Sequence, residues 1–212
     1  MKLHGYWRSS AAYRVRIGLN LKGLVYEQQS YDLRVGAHRQ EAFLTLAPQG
    51  LVPALATDEG VFVQSTAILE WLEEYAPLPP LLPADRPGRA VVRAMAALVA
   101  CDIHPLNNLR VLSALRTDLK ADSDEVSAWI ARWVNQGFGG LEPMIARHGA
   151  GFAHGDQPTL ADCFLVPQVY SAERFKVDLA PFPHIVAAAE RARAHPAFRA
   201  AHPDAQPDAD PA

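Results

Sequence analysis

Five prolines, Pro77, Pro79, Pro80, Pro83 and Pro87, fall within eleven residues. Proline has no N–H to give to a helix or sheet ladder, so neither element can run through that density. The hydrophobic pattern also changes there. Before the cluster, short apolar runs alternate with stretches of helical spacing; beyond it, only helical spacing remains. Two domains are therefore expected, a mixed α/β unit over 1–80 and an all-helical unit over 87–212. A chain of 212 residues is long enough for both.

Within the first unit the expected order is β-α-β-α-β-β-α. Met1–Tyr6 is short enough for one strand, and Val15, Ile17, Leu19 and Leu21 lie on a helix that stops at Gly23. Ser9 or Ser10 would cap that helix. Val25–Tyr31 reads as a second strand and Gly36–Leu46 as a short helix. Pro53 stands before the short strand Ala54–Thr57, where a strand start or a cis turn suits it. Asp58-Glu59-Gly60 is a hairpin signal, Val61–Val63 the returning strand, and Ser65 the expected cap of a helix over Thr66–Tyr75. One crossover makes the first strand pair parallel; the hairpin makes the second antiparallel.

In the second unit a helix is expected over Arg89–His104, interrupted at Pro105. Ser123 would cap a helix carrying Val126, Trp129, Ile130, Trp133 and Val134, with both tryptophans in the core. Gly149–Gly155 reads as a loop. Thr159 and Asp162 can cap the next helix reciprocally. A last helix is expected over Ile185–Ala194, and the Pro-, Asp- and Ala-rich tail over 203–212 is expected to fray.

The formal net charge of -3 gives no reason to expect a nucleic acid or membrane partner. No uninterrupted apolar run approaches the ~20 residues of a membrane span, and Met1-Lys2 is followed too soon by His4 and Arg8 for a signal peptide. These features point to the cytoplasm. Cys101 and Cys163 lie in apolar surroundings and are expected to be buried, inert thiols. No His, Cys, Asp and Glu combination has metal-ligand spacing, so no metal site is expected.

Chemistry enters at Arg8-Ser9-Ser10. A helix start presents unpaired N–H groups and partial positive charge, which suits an anion, and a hydroxyl there can donate to a thiolate. Taken singly, Arg14 and Arg16 read as charges on a solvated helix face or in an ion pair.

Several stretches together carry a family likeness. Arg8-Ser9-Ser10 ahead of Tyr13-Arg14-Val15-Arg16-Ile17, Pro48-Gln49-Gly50-Leu51-Val52-Pro53-Ala54-Leu55, Gln64-Ser65, Cys101–Arg110 and Pro158-Thr159-Leu160-Ala161-Asp162 resemble the zeta-class glutathione transferases. Within that class they look like the bacterial maleylacetoacetate and maleylpyruvate isomerases. The resemblance covers Met1 to about Pro203. It implies the glutathione transferase fold, a thioredoxin-like N-terminal domain followed by an all-helical C-terminal domain, and a homodimer.

The resemblance also implies glutathione as cofactor and assigns its site. Ser9 would hold the glutathione sulfur, Val52 the cysteinyl backbone, and Gln64 with Ser65 the γ-glutamyl end; Gln49 and His38 would lie near the glycine end. Ser9, Arg8 and Ser10 are the candidate catalytic residues. Arg8, His104, Asn108, Arg110 and Arg174 are the candidates for a dicarboxylic diketo acid substrate. Arginine suits that task because its planar fork meets both carboxylate oxygens. By spacing, His104 with Asn108 and Asn107 with Arg110 could share helical sides. Ala11 stands where many members of the class carry a cysteine, so the chain has no thiol of its own there. The implied reaction is cis–trans isomerisation of maleylacetoacetate, with maleylpyruvate or an α-haloacid as alternative substrates and a non-enzymatic interaction module as a further alternative.

Overall fold

The computed structural model describes residues 1–210 and divides the chain into two compact units. Unit 1 comprises Met1–Leu81 together with the segment from Ala194 onward; unit 2 is Leu82–Arg193. The division at Leu81 falls at the proline cluster. The membership of the C-terminal segment differs from the expected two-part split.

Unit 1 is built on strands β1 (Lys2–Gly5), β2 (Glu27–Ser30), β3 (Ala54–Thr57) and β4 (Gly60–Val63), in the order β2-β1-β3-β4. β1 and β2 are parallel; β1 with β3 and β3 with β4 are antiparallel. The helices are α1 (Ser10–Leu21), the single turn α2 (Glu41–Leu44) and α3 (Ser65–Tyr75). Expected and observed order agree. The helix expected over Gly36–Leu46 is split into a 3-10 turn, Ala37–Arg39, and α2. β2 is one of the two edge strands and every residue in it is exposed; Val25, expected in that strand, precedes it and is exposed. Leu3, Val15, Ile17, Leu55, Ile68 and Leu69 make the core.

Arg14 and Arg16 do not lie on a solvated face; both are buried. Arg16 Nε donates to the Ala201 carbonyl at 3.0 Å, Nη2 to Trp7 O at 2.8 Å and Nη1 to Tyr6 O at 3.5 Å. The carbonyls come together because the β1–α1 loop and the chain at Ala201 converge there. Spacing along α1 alone holds no trace of them. Lys22 is likewise buried, pairing with Glu73 at 2.6 Å and donating to Pro79 O at 2.8 Å. That pair ties α1 to α3 and to the chain leaving the unit.

Unit 2 contains α4 (Arg86–Ala97), α5 (Leu109–Thr117), α6 (Ser123–His148), α7 (Leu160–Arg174) and α8 (Pro183–Arg193). α4 begins earlier than expected because Asp85 caps it, accepting Gly88 N–H, and Pro87 fits its first turn. The chain then passes through a π-helical stretch, Leu98–Ile103, and a 3-10 turn, His104–Asn107. Arg86–Thr117 is long enough to cross a membrane, and an 18-residue window within it has a mean hydropathy of 1.2, but Arg89, Arg93 and Asp102 interrupt its apolar runs, as expected. It is not one helix: the backbone becomes extended at Asn108, and Val92, Met95, Val99 and Ile103 are buried.

α6 is capped by Asp122, not Ser123, because Asp122 forms a capping box with Glu125. Trp129 and Trp133 are half-buried instead of core. Trp129 Nε1 donates to Leu106 O at 2.9 Å, which anchors the 3-10 turn. The expected reciprocal cap of α7 is present: Asp162 accepts from Thr159 N, Thr159 Oγ1 and Ala153 N. Burial pushes its carboxyl up to about 6, against the pull of those donors. Cys163 is buried as expected; Cys101 is exposed, because the π-helical stretch turns it outward.

The segment after α8 departs most from expectation. It forms a further helix, α9 (Pro196–Ala201), and a 3-10 turn, Pro203–Ala205, and it continues in hydrogen-bonded contact with unit 1 as far as Asp210. The tail over 203–210 is therefore not frayed; residues 211 and 212 of that expectation lie outside the described residues.

Arg16→Met keeps the stem but removes three donors from buried carbonyls. A loss of about 3 kcal/mol is expected, at 1–3 kcal/mol for each group left unsatisfied with partial relaxation. Equilibrium urea unfolding checks it.

Candidate glutathione-type site

The sheet register brings most of the candidate residues of unit 1 to one end. His4 pairs with Ala54, and Ala54 with Val63. The exit of β1, the approach to β3 and the exit of β4 thus lie side by side. The exit of β1 leads through Tyr6–Arg8 to Ser9, the approach to β3 is Val52–Pro53, and the exit of β4 is Gln64–Ser65. The Val52–Pro53 peptide is cis, the second of the two positions its sequence context suited. Two helices, α1 and α3, begin at this end, so two sets of free N–H groups meet there.

Ser9 is the N-cap of α1: its backbone is extended and its Oγ accepts Ala12 N–H at 3.2 Å. The bond uses an oxygen lone pair and leaves the hydroxyl proton for another acceptor. Ser10 is the first residue of the helix and carries no cap. Arg8 is half-buried, with its guanidinium 5.1 Å from the Trp7 ring centre. That stacking orients a long side chain which would otherwise be mobile.

At the start of α3 the N-cap position is occupied by Gln64, and Ser65 is the first helical residue, so Ser65 is not the cap. Gln64 has φ 69 and ψ 116, a conformation costly for any side chain bearing a Cβ. Strain of that kind, on the order of 1–3 kcal/mol, persists where surrounding structure imposes it. Here β4 and α3 impose it, and it turns the Gln64 amide toward Gln49: Gln64 Nε2 donates to Gln49 Oε1 at 2.7 Å. Ser65 is buried, and Arg14 Nη1 donates to its Oγ at 3.3 Å. A buried guanidinium therefore backs the N-terminus of α3. The Ser65 proton is free to point away from Arg14, toward an incoming acceptor.

These features fit a carboxylate-bearing peptide thiol. The α3 start offers N–H groups, a hydroxyl and a cation behind it; the α1 start offers a hydroxyl and further N–H groups. Sequence reasoning missed Arg14. Its helical position gave no signal, because its partner Ser65 lies 51 residues away. His38 is buried, and burial, with the Arg39 charge beside it, lowers its pKa.

The remaining candidates lie in unit 2. His104 opens the 3-10 turn and Asn108 caps α5, accepting Arg110 N–H at 3.1 Å and Val111 N–H at 3.3 Å. The i,i+4 relation expected for His104 and Asn108 does not hold, because the extended backbone at Asn108 separates two helices; Asn107 and Arg110 are divided by the same break. Arg110 is exposed in the first turn of α5, and the Asn108 amide nitrogen stays available as a donor. Arg174 ends α7, with its guanidinium 4.6 Å from the Phe175 ring centre.

Comparison with known proteins accords with this geometry. Residues 3–80 match the N-terminal domain of glutathione S-transferase and residues 110–203 its C-terminal domain. A maleylpyruvate isomerase from a Ralstonia species is 51% identical over 98% of this chain and 99% of its own length. A maleylacetoacetate isomerase from Pseudomonas aeruginosa is 52% identical over 98% of each chain. Among solved structures, the holo form of a bacterial zeta-class maleylpyruvate isomerase superposes with a TM-score of 0.97 at 50% identity, covering 99% of this chain and 100% of that one. A maleylacetoacetate isomerase from Anaeromyxobacter dehalogenans with glutathione in its active site gives 0.89 at 46% identity, covering 99% and 97%. The chain belongs to the glutathione S-transferase family, in its zeta class.

Gln64→Gly relieves the positive φ and removes the amide that meets Gln49. Unfolding should shift upward by about 1 kcal/mol, strain relief exceeding the extra chain entropy of glycine. Glutathione affinity, followed by calorimetry, should fall.

Proposed function

We propose that this protein is a glutathione-dependent cis–trans isomerase that converts maleylacetoacetate to fumarylacetoacetate. The observation that carries the reading is the Ser9 hydroxyl at the start of α1, its oxygen committed to Ala12 N–H and its proton free. Relatives named for this activity and its maleylpyruvate counterpart, over nearly the whole chain, support it.

Isomerisation about a double bond needs a temporary single bond. Glutathione, when bound, supplies the thiol that adds to one alkene carbon and leaves again unchanged after rotation. The chain's own residues prepare that chemistry. Ser65, with Arg14 behind it, and the first N–H groups of α3 receive the γ-glutamyl carboxylate. Gln64 and Gln49 present amides beside it, Val52 offers its backbone to the cysteinyl part, and His38 lies toward the glycine end. Ser9 donates its hydroxyl proton at the sulfur position, favouring the charged form of the thiol. Ser10, next to it, contributes to the same helix start. Arg8 stabilises the negative charge that develops on the substrate's carbonyl oxygen. Arg110, Arg174, His104 and Asn108 supply cations and donors for the substrate's carboxylates. Ala11 leaves the sulfur chemistry to glutathione alone.

A homodimer located in the cytoplasm completes the proposal. A partly exposed aromatic row supports the dimer: half-buried Phe62 and Trp71 and exposed Tyr75 stack with ring centres 4.7 and 4.6 Å apart. Sedimentation should give twice the chain mass of 23.2 kDa.

An absorbance assay with glutathione, comparing maleylacetoacetate, maleylpyruvate and dichloroacetate, tests the substrate. The first is expected to have the highest kcat/KM. Ser9→Ala should lower kcat/KM by about 100-fold, the scale of losing one well-placed donor. Arg110→Ala should raise the KM for the diketo acid and leave that for glutathione unchanged; the opposite pattern would place Arg110 in the glutathione site.

A further inference from the structure

The last described residues contact the loop that precedes Ser9. Gln206 is buried; its Nε2 donates to Ala200 O at 2.9 Å and His202 O at 2.7 Å, and its Oε1 accepts from Gln28 Nε2 at 3.0 Å. Two residues later, Asp208 Oδ2 accepts the backbone N–H of Trp7 at 3.0 Å and the hydroxyl of Ser30. Asp210 Oδ2 accepts from Arg34 Nη1 at 2.9 Å. This strap therefore crosses the end of β2 and reaches the β1–α1 loop.

The bond to Trp7 is the consequential one. Trp7 is 2% exposed, so its N–H has little access to water. The neighbouring carbonyls, of Tyr6 and Trp7, are already taken by Arg16, and Tyr6 O also accepts Ser9 N–H at 3.0 Å. The loop is gripped through its carbonyls from inside and through its N–H by Asp208. Arg8 and Ser9 are the next two residues. An ionised acceptor bonds an N–H roughly twice as strongly as a neutral one, and small displacements of reacting groups are costly in rate.

We propose that Asp208 is a positioning residue for the isomerisation: through the Trp7 N–H it fixes the loop that presents the Arg8 guanidinium and the Ser9 hydroxyl. This rests on the assignment of Arg8 and Ser9 to the reaction. The C-terminal strap thereby becomes a part of the catalytic apparatus that no residue motif announces. Ser30, through the same carboxylate oxygen, links the end of β2 to that loop.

Asp208→Ala and Asp208→Asn in the full chain, beside Ser9→Ala, test it with glutathione and maleylacetoacetate across the pH range of activity. Asp208→Ala should lower kcat by about tenfold, on the scale that a sub-ångström misplacement produces. The KM for glutathione should change little, and the acidic limb of the kcat/KM profile should move to higher pH. Asp208→Asn keeps an acceptor of the same shape and should recover most of the rate. If Asp208→Ala lowers the melting temperature but keeps the parent kcat and pH profile, Asp208 is structural only and the proposal is overturned. A parent-like rate in Ser9→Ala would remove the underlying site assignment. A crippled Ser9→Ala beside an unimpaired Asp208→Ala would overturn the strap alone.

Discussion

The buried guanidinium of Arg16 is the interaction on which unit 1 depends. A cation without water is costly, and it is tolerated here because three carbonyls converge on it. Two belong to the β1–α1 loop and one to the end of α9. Their satisfaction by one side chain defines the path of the chain from Tyr6 to Ser9. The same bond explains why the segment from Ala194 joins the N-terminal unit: the guanidinium needs the Ala201 carbonyl.

Arg14, two residues before Arg16 on α1, does for α3 what Arg16 does for the loop. It is buried and donates to Ser65 at the helix start. Two arginines that share a short helix thus serve two different helix termini, that of α3 and that of α1. Their spacing of two puts them on different sides of α1, which is why neither substitutes for the other. The strained backbone at Gln64 belongs to the same arrangement, because it turns the amide toward Gln49 while α3 starts immediately afterwards.

Much of this was legible in the residues. The order of strands and helices in unit 1 is the expected one, although β2 itself is polar and exposed, and Ser9 stood where a cap had to be. The Thr159–Asp162 cap was readable because both partners lie within one turn. What escaped shares a cause: the partner lies far along the chain. Arg16 reads as a surface charge until Ala201, 185 residues away, supplies a carbonyl. The tail from Pro203 has the composition of a frayed end, and the groups that hold it, Trp7 N–H, Gln28, Ser30 and Arg34, all lie far back in the chain. Near misses were local competitions: Asp122 displaced Ser123 as a cap because Glu125 completes a box with it. The expected helical pairings of His104 with Asn108 and of Asn107 with Arg110 fail because the Asn108 side chain caps a new helix.

The central claim is that the start of α1 stabilises a charged sulfur through Ser9. Ultraviolet absorbance of the thiolate in the glutathione complex, titrated against pH in the parent protein and in Ser9→Ala, measures this without turnover. The expected result is an apparent thiol pKa in the parent complex below the ordinary thiol value of about 8.5, and a return toward that value in Ser9→Ala. Equal thiol pKa values in the two complexes would contradict it.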